Sequence, residues 1–327
     1  MLFMAEVKRL SASKLVTLFN CPFAYYLKYV QHEEIPQNIR LVFGKAIHYL
    51  LNKFYKVNYK SPETFSKFWK YYWFNLISGD FLKGKKKESL KVKSHPYMGK
   101  NENGERIEKE LLVGDHVKFF SENPIGAFFG YMGLGSRILE NFYIRHKNKP
   151  QPIEREKRIY TNLFGHDLIA ILDRIDRYQG RYYLTDYKTD KTLPEQNSFL
   201  LHKHPQFTIY SKVFRKIYQE KEDSILYYHL RTGKVLKTRR NRKDYDYIKL
   251  LMDKAQEKIE NDDFLPFYGF HCNYCDYKIP CQNYNFSKKG PKKTSINQNN
   301  KLGYFLGWKE QLNSSEKKAW LEIAEER

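Results

Sequence analysis

The chain has 327 residues, with 58 Lys or Arg against 37 Asp or Glu and a formal net charge of +21. That length is enough to bury a full core, and the longest nearly apolar run, IGAFFGYMGLG at 125–135, is too short to span a bilayer. The opening MLFMAEVKRL lacks the basic-then-apolar plan of a secretory signal, so the expectation is a soluble protein of a reducing, cytoplasmic compartment with no membrane partner. So large a positive charge invites a nucleic-acid partner. Lys, Tyr, Asn, Ile and Phe are all abundant, however, as an AT-rich coding sequence would give, and charge alone leaves that question open.

Taken in chain order, residues 10–30 read as a short helix capped by Ser11 or Ser13, with Leu15, Leu18 and Phe19 at helical spacing. LVFGKAIHYLLNKFYKV at 41–57 places Ile47, His48, Leu51 and Tyr55 along one stripe, and TFSKFWKYYWFNLI makes a further aromatic helix. Residues 83–110 are polar and aperiodic, which predicts an exposed, basic loop. Helices resume near Asp115, with a well-formed one over 130–146. Then the texture changes. PIEREKRIYTNL, HDLIAILDRIDRY and RYYLTDYKTDK predict three antiparallel strands joined by Asn-Leu-Phe-Gly and Gln-Gly turns. HPQFTIYSKVFRKIY reads as a helix, DSILYYHLRTGKVLKTR as a strand pair, and DYIKLLMDKAQEKIEN as a long helix. The expected organisation is one α/β domain over 1–285 with a helical insertion at about 60–130, a linker over 286–300 and a helical tail over 301–327.

All four cysteines fall into one arrangement, Cys21 followed about 250 residues later by C-x2-C-x5-C at Cys272, Cys275 and Cys281. Four thiolates suit a tetrahedral zinc ion or an iron–sulfur cluster. Two disulfides or buried free thiols are the competing accounts, and a reducing compartment weakens the first.

The second and third strands carry the unusual charges. With period 2, Asp173 shares a face with Ile169, Ile171 and Ile175, where an acid is costly to bury unless it is paired or ligates a cation. Asp186 and Lys188 project together from the third strand, and the tight turn at Gln179-Gly180 brings Asp173 and Asp186 within reach of one metal ion. Two carboxylates beside a lysine suit metal-assisted phosphodiester hydrolysis. The competing account is a cross-strand salt bridge, Asp186 to Arg174 or Lys188 to Asp176. His48 is either a ligand or a hydrogen-bonded core histidine. Gln206 and Tyr210, at i and i+4, share a helix face. Glu154 and Glu156 precede the first strand, where one is placed to serve as an outer-shell base.

The order GKAIH, ILDRID, DYKT and Q-x3-Y resembles the RecB-type branch of the PD-(D/E)XK nuclease superfamily. The added cysteine layout is similar to that of its iron–sulfur members, among them the AddB-type, CRISPR-associated and exonuclease V-like nucleases. The resemblance covers roughly residues 10–285. It implies a restriction-endonuclease-like fold, a mixed central sheet flanked by helices and closed by a four-cysteine iron–sulfur clasp. It further implies His48, Asp173 and Asp186 as ligands of Mg²⁺ or Mn²⁺, with the Tyr187 carbonyl adding another. Lys188 is then the catalytic lysine, and Gln206 with Tyr210 the substrate-side pair. Cys21, Cys272, Cys275 and Cys281 would hold a 4Fe–4S cluster. The implied reaction is exonucleolytic cleavage of single-stranded DNA ends, beside a helicase or recombination partner. A nuclease-like module that grips DNA ends with little or no cleavage is the alternative. The chain departs from the family in having Ala170 where a glycine is common.

Overall fold

A computed structural model describes residues 9–78, 87–92, 109–114, 117–119 and 123–286. Helix α1 (Ala12–Asn20) opens on Ser11, whose hydroxyl accepts from the Lys14 N–H at 3.2 Å, and ends at Cys21. One helical turn (Pro22–Tyr25) and a wider π turn (Tyr26–Val30) carry the chain on. Leu15 and Leu18 are buried as their spacing predicts, but Phe19 is 39% exposed, because one residue on from Leu18 it has turned off the apolar stripe. Next come α2 (Ile39–Phe54), α3 (Pro62–Ser78), a strand pair β1 (Lys87–Val92) and β2 (Lys109–Gly114), and α4 (Pro124–His146). The remainder supplies β3 (Glu154–Leu163), β4 (His166–Tyr178), β5 (Arg181–Lys188), α5 (Pro205–Tyr218), β6 (Glu222–His229), β7 (Lys234–Thr238) and α6 (Arg242–Glu260). No helix among the described residues is long and apolar enough to cross a membrane.

The chain divides into two compact units. One is helical and spans 35–149, so it takes in α2 and His48 as well as the expected insertion. Its core is aromatic. Trp69 and Trp73 on α3 stack at 5.1 Å and donate their indole N–H groups to the Met132 and Phe128 carbonyls of α4 at 2.7 and 3.1 Å. Gly135 lets the helices close: a Cβ there would stand 2.2 Å from the Trp69 ring. The ends of the segment expected to be an exposed loop, 83–110, pair instead as antiparallel β1 and β2, with Lys87 opposite Gly114. Their mixed charges hide the alternation that marks a strand. Nor does a helix resume at once after residue 115. Val117–Lys118 pairs in parallel with Gln37–Asn38, and α4 begins after Asn123, its cap. The centre of the basic loop, nearly all of the linker and the whole tail 301–327 lie outside the described residues.

The other unit holds the sheet, in the order β3-β4-β5-β6-β7. Every neighbouring pair is antiparallel except β5 and β6. The two hairpin turns follow from local chemistry. Phe164-Gly165 and Gln179-Gly180 all have positive φ, between 48° and 92°, as two-residue turns that match strand twist require. Beyond the point where β5 leaves β4, Leu10 takes its place, donating to Asp167 and accepting from Ile169. Helix α5 makes the crossover that two parallel strands need. Leu168, Ala170, Leu172, Ile175, Leu184 and Ile225 of the sheet share one core with Leu15 and Leu18 of α1, Ile209, Val213 and Phe214 of α5, and Ile248, Met252 and Ala255 of α6.

On β4 the expected parity needs correction. Leu168, Ala170 and Leu172 are buried while Ile169 and Ile171 are half-buried. Asp173 therefore does not sit on a face of three equally buried isoleucines. The run from Leu172 to Ile175 is buried throughout, so both faces of the strand are covered there.

Candidate active site

The β4–β5 hairpin sets the site. Tyr178 pairs with Arg181 across the turn and Arg174 with Thr185, so the next position places Asp173 opposite Asp186. There the regular ladder stops, and the Asp173 carboxylate accepts the Tyr187 backbone N–H at 2.9 Å. Asp173 is 7% exposed and Asp186 1%. Two buried acids on adjoining strands are costly unless cations attend them. One cation is Lys188, whose Nζ lies 2.8 Å from Asp186 Oδ2. The competing cross-strand account gives Asp186 and Lys188 other partners than one another, whereas here they pair directly. Arg174 holds Asp176, two residues along its own strand, and its guanidinium also reaches the Tyr187 hydroxyl.

The crossover supplies the next contact. After the connection 189–204, the first turn of α5 stands beside Lys188, and Lys188 donates to Gln206 Oε1 at 2.9 Å. Gln206 in turn donates through Nε2 to the Tyr210 hydroxyl at 2.7 Å. Asp186, Lys188, Gln206 and Tyr210 thus form one chain of polar contacts. Burial opposes the charge on Lys188, but Asp186 beside it, helped by Asp173 and Asp190, raises its pKa above the usual lysine value. Burial, then Asp173 and Asp186, holds the Tyr210 hydroxyl well above the ordinary tyrosine range. Lys188 is therefore a cation and Tyr210 a neutral phenol at neutral pH.

Sequence reasoning gave too little to Glu156, and placed it and Glu154 before the first strand when both lie within it. Glu156 falls opposite Asp173, at the position the β3–β4 pairing skips between Arg155–Arg174 and Lys157–Leu172. Its φ is 47°, a left-handed conformation that costs a non-glycine residue about 1–3 kcal/mol. A carboxylate oxygen of Glu156 lies within 4.8 Å of one on Asp173. Asp173, Asp186 and Glu156 present hard oxygen donors, which fit Mg²⁺ or Mn²⁺ rather than a soft metal. His48 belongs to the helical unit. It lies half-buried at the margin of the α2 stripe formed by Val42, Ala46, Ile47, Leu50 and Leu51.

His204 caps α5, its Nδ1 accepting the Gln206 N–H at 3.3 Å. Burial first, then Lys188 and Arg240, pushes its pKa down to about 4. Between the unfolded value near 6.5 and about 4, the unfolded chain therefore binds the extra proton. Stability should fall as pH drops through that window, by up to about 3 kcal/mol, and be unaffected by His204 above it. Urea unfolding at pH 7, 5 and 4 checks this. His204→Asn, which keeps a neutral cap, should flatten that part of the profile, and an unchanged profile would contradict it.

All four cysteines are free thiols, so the competing account of two disulfides does not hold. Cys21 is buried at the end of α1, and Cys281 packs against the same core. Burial first raises the thiol pKa values of Cys275 and Cys281, and Cys21 and Cys272 act electrostatically on both. No three of the four sulfurs lie within 4.8 Å of one another. The two ends of this unit meet through rings: Phe23 lies 4.8 Å from Tyr284 and 5.0 Å from Phe286, and Tyr26 lies 5.5 Å from Phe264.

The family model of the PD-(D/E)XK nuclease superfamily matches residues 9–282. The chain belongs to that superfamily. No curated protein is similar enough to this chain to count as a match. A solved structure titled "Crystal structure of SSO0001" aligns at 18% identity and a TM-score of 0.31, over 48% of this chain and 71% of that one. A likeness that slight says nothing about activity.

Proposed function

We propose that this chain is a divalent-metal-dependent deoxyribonuclease that degrades single-stranded DNA from its ends, in recombination, repair or replication. The observation that carries the reading is the pair of buried acids, Asp173 and Asp186, on adjoining strands, with Lys188 held between Asp186 and Gln206. A scaffold that only gripped DNA would have no use for so costly an arrangement. Superfamily membership supports the same reading.

Asp173, Asp186 and the Tyr187 carbonyl would hold the metal, oxygen donors that suit Mg²⁺ or Mn²⁺. When bound, the metal polarises the scissile phosphate and activates water. Lys188, kept protonated by Asp186, donates to the charge that develops on the phosphate oxygens. Gln206 and Tyr210 fix the direction in which its ammonium points. Cys21, Cys272, Cys275 and Cys281 would carry a 4Fe–4S cluster. A helicase that unwinds duplex ends would supply the substrate.

The test is anaerobically purified protein with end-labelled single- and double-stranded DNA, with and without Mn²⁺. Metal-dependent shortening from the ends of single strands is expected, and binding without cleavage in any metal would replace the reading with an end-binding module. Affinity should also be steeply salt-dependent, given the net charge of +21. A loss of about 10²-fold between 50 and 200 mM salt is expected for about five phosphate contacts, and a flat dependence would argue against a strand lying along a basic surface.

A further inference from the structure

Glu156 is the most strained charged residue near the site. It lies inside β3, not in a turn, yet its φ is 47°. Of the other non-glycine residues with positive φ among the described residues, Phe164, Gln179 and Gln219 sit at tight turns or a helix end, where such a conformation is ordinary. Glu156 has no such excuse. Pairing on either side keeps one register, Arg155 with Arg174 and Lys157 with Leu172, so no residue is inserted. The backbone twists at one position and returns, and that position is the one facing Asp173. A strained residue that survives in a regular strand points to a requirement on its side chain.

From this we infer that Glu156 is a third carboxylate ligand of the catalytic metal. The inference rests on the metal-dependent reading above and extends it. Directly opposed residues of an antiparallel pair share a face, so position 156 faces Asp173 by register. Its carboxylate lies within 4.8 Å of an oxygen of Asp173, a spacing that one cation between the two can span with metal–oxygen bonds of about 2.0–2.6 Å. Burial acts in the same sense, since Asp173 and Asp186 are nearly inaccessible while Glu156 is only half-buried. Glu156 is thus the carboxylate best placed to meet a hydrated ion as it enters.

Strain and ligation predict opposite responses to one substitution, which makes the idea testable without an activity assay. Glu156→Gly removes both the carboxylate and the steric cost of positive φ. Without metal, its Tm should rise by a few degrees over wild type. Its Mn²⁺ affinity, measured by calorimetry or by electron paramagnetic resonance of free Mn²⁺ on the full chain, should fall on the order of 10-fold or more. Glu156→Gln keeps the shape and removes the charge, so it should lose affinity with Tm unchanged or slightly higher. Mn²⁺ affinity within about twofold of wild type in both variants overturns the assignment, and so does a lower metal-free Tm for Glu156→Gly. A wild type that binds neither Mn²⁺ nor Mg²⁺ sinks the metal reading and this assignment together. Tight wild-type binding that survives both substitutions sinks the assignment alone.

Discussion

Asp186→Asn should lower cleavage by on the order of 10³-fold or more while leaving DNA affinity within a few-fold of wild type. Asp186 is 1% exposed, and the Lys188 ammonium lies 2.8 Å from it. The amide keeps the volume and a polar contact with Lys188, so the fold should tolerate it. What it loses is the full charge that a cation needs at that corner, and every tenfold in rate corresponds to only about 1.4 kcal/mol of transition-state stabilisation. Binding should survive because phosphate contacts come from the basic surface, not from an acid. Lys188→Met tests the other half. It should cut kcat by about 10²–10³-fold with a smaller effect on Mn²⁺ affinity, since the ammonium acts on developing charge and not on the metal. Because Asp186, Lys188 and Gln206 form one chain of contacts, the double variant should cost much less than the product of the single losses. Wild-type cleavage by Asp186→Asn, or full additivity of the pair, would remove the assignment.

How much of this was legible beforehand depended on how local the cause was. The Asp173–Asp186 juxtaposition needs only a two-residue turn and a period of 2, both written in DRIDRYQGRYYLTD, and the structure bears out that register. The face was harder. LIAIL carries apolar residues on both sides of β4, so alternation cannot say which side is the deeper, and the core went to Leu168, Ala170 and Leu172. The bond from Lys188 to Gln206 spans 18 residues and depends on α5 crossing between parallel strands, which no local pattern encodes. Glu156 was barely visible, because a left-handed glutamate inside a strand runs against backbone propensity. Such local violations concentrate where a site imposes its own demands. The strands β1 and β2 were missed for a plainer reason: KESLKV and KELLVG are too short and too charged to show a period.

The cysteines should prove structural, and the place where the chain loosens should reveal it. Cys21 is buried at the end of α1, whereas the segments around Cys272, Cys275 and Cys281 bury none of their residues. Leu265, Phe267, Tyr268, Phe270, Tyr274 and Ile279 are all exposed. A segment with so little buried apolar area has little else to order it. A cluster shared by Cys21 and the other three would close a loop of about 260 residues, a constraint worth about 5 kcal/mol of chain entropy in the unfolded state. Part of the closure is independent of metal, however. Leu10 is paired into the sheet, and Phe23 and Tyr26 pack on Phe264, Tyr284 and Phe286. Cys275→Ser, or oxygen bleaching of the wild type, should therefore lower Tm by about 10 °C and open the chain between 265 and 282. The stretch around Cys21 should stay protected. DNA binding should weaken together with stability, and activity only in consequence. Fresh protein assayed for iron and sulfide, then digested with a protease before and after bleaching, reads out both parts. Stoichiometric zinc without iron would overturn the cluster, and an unchanged digestion pattern after bleaching would show that the cysteines order nothing.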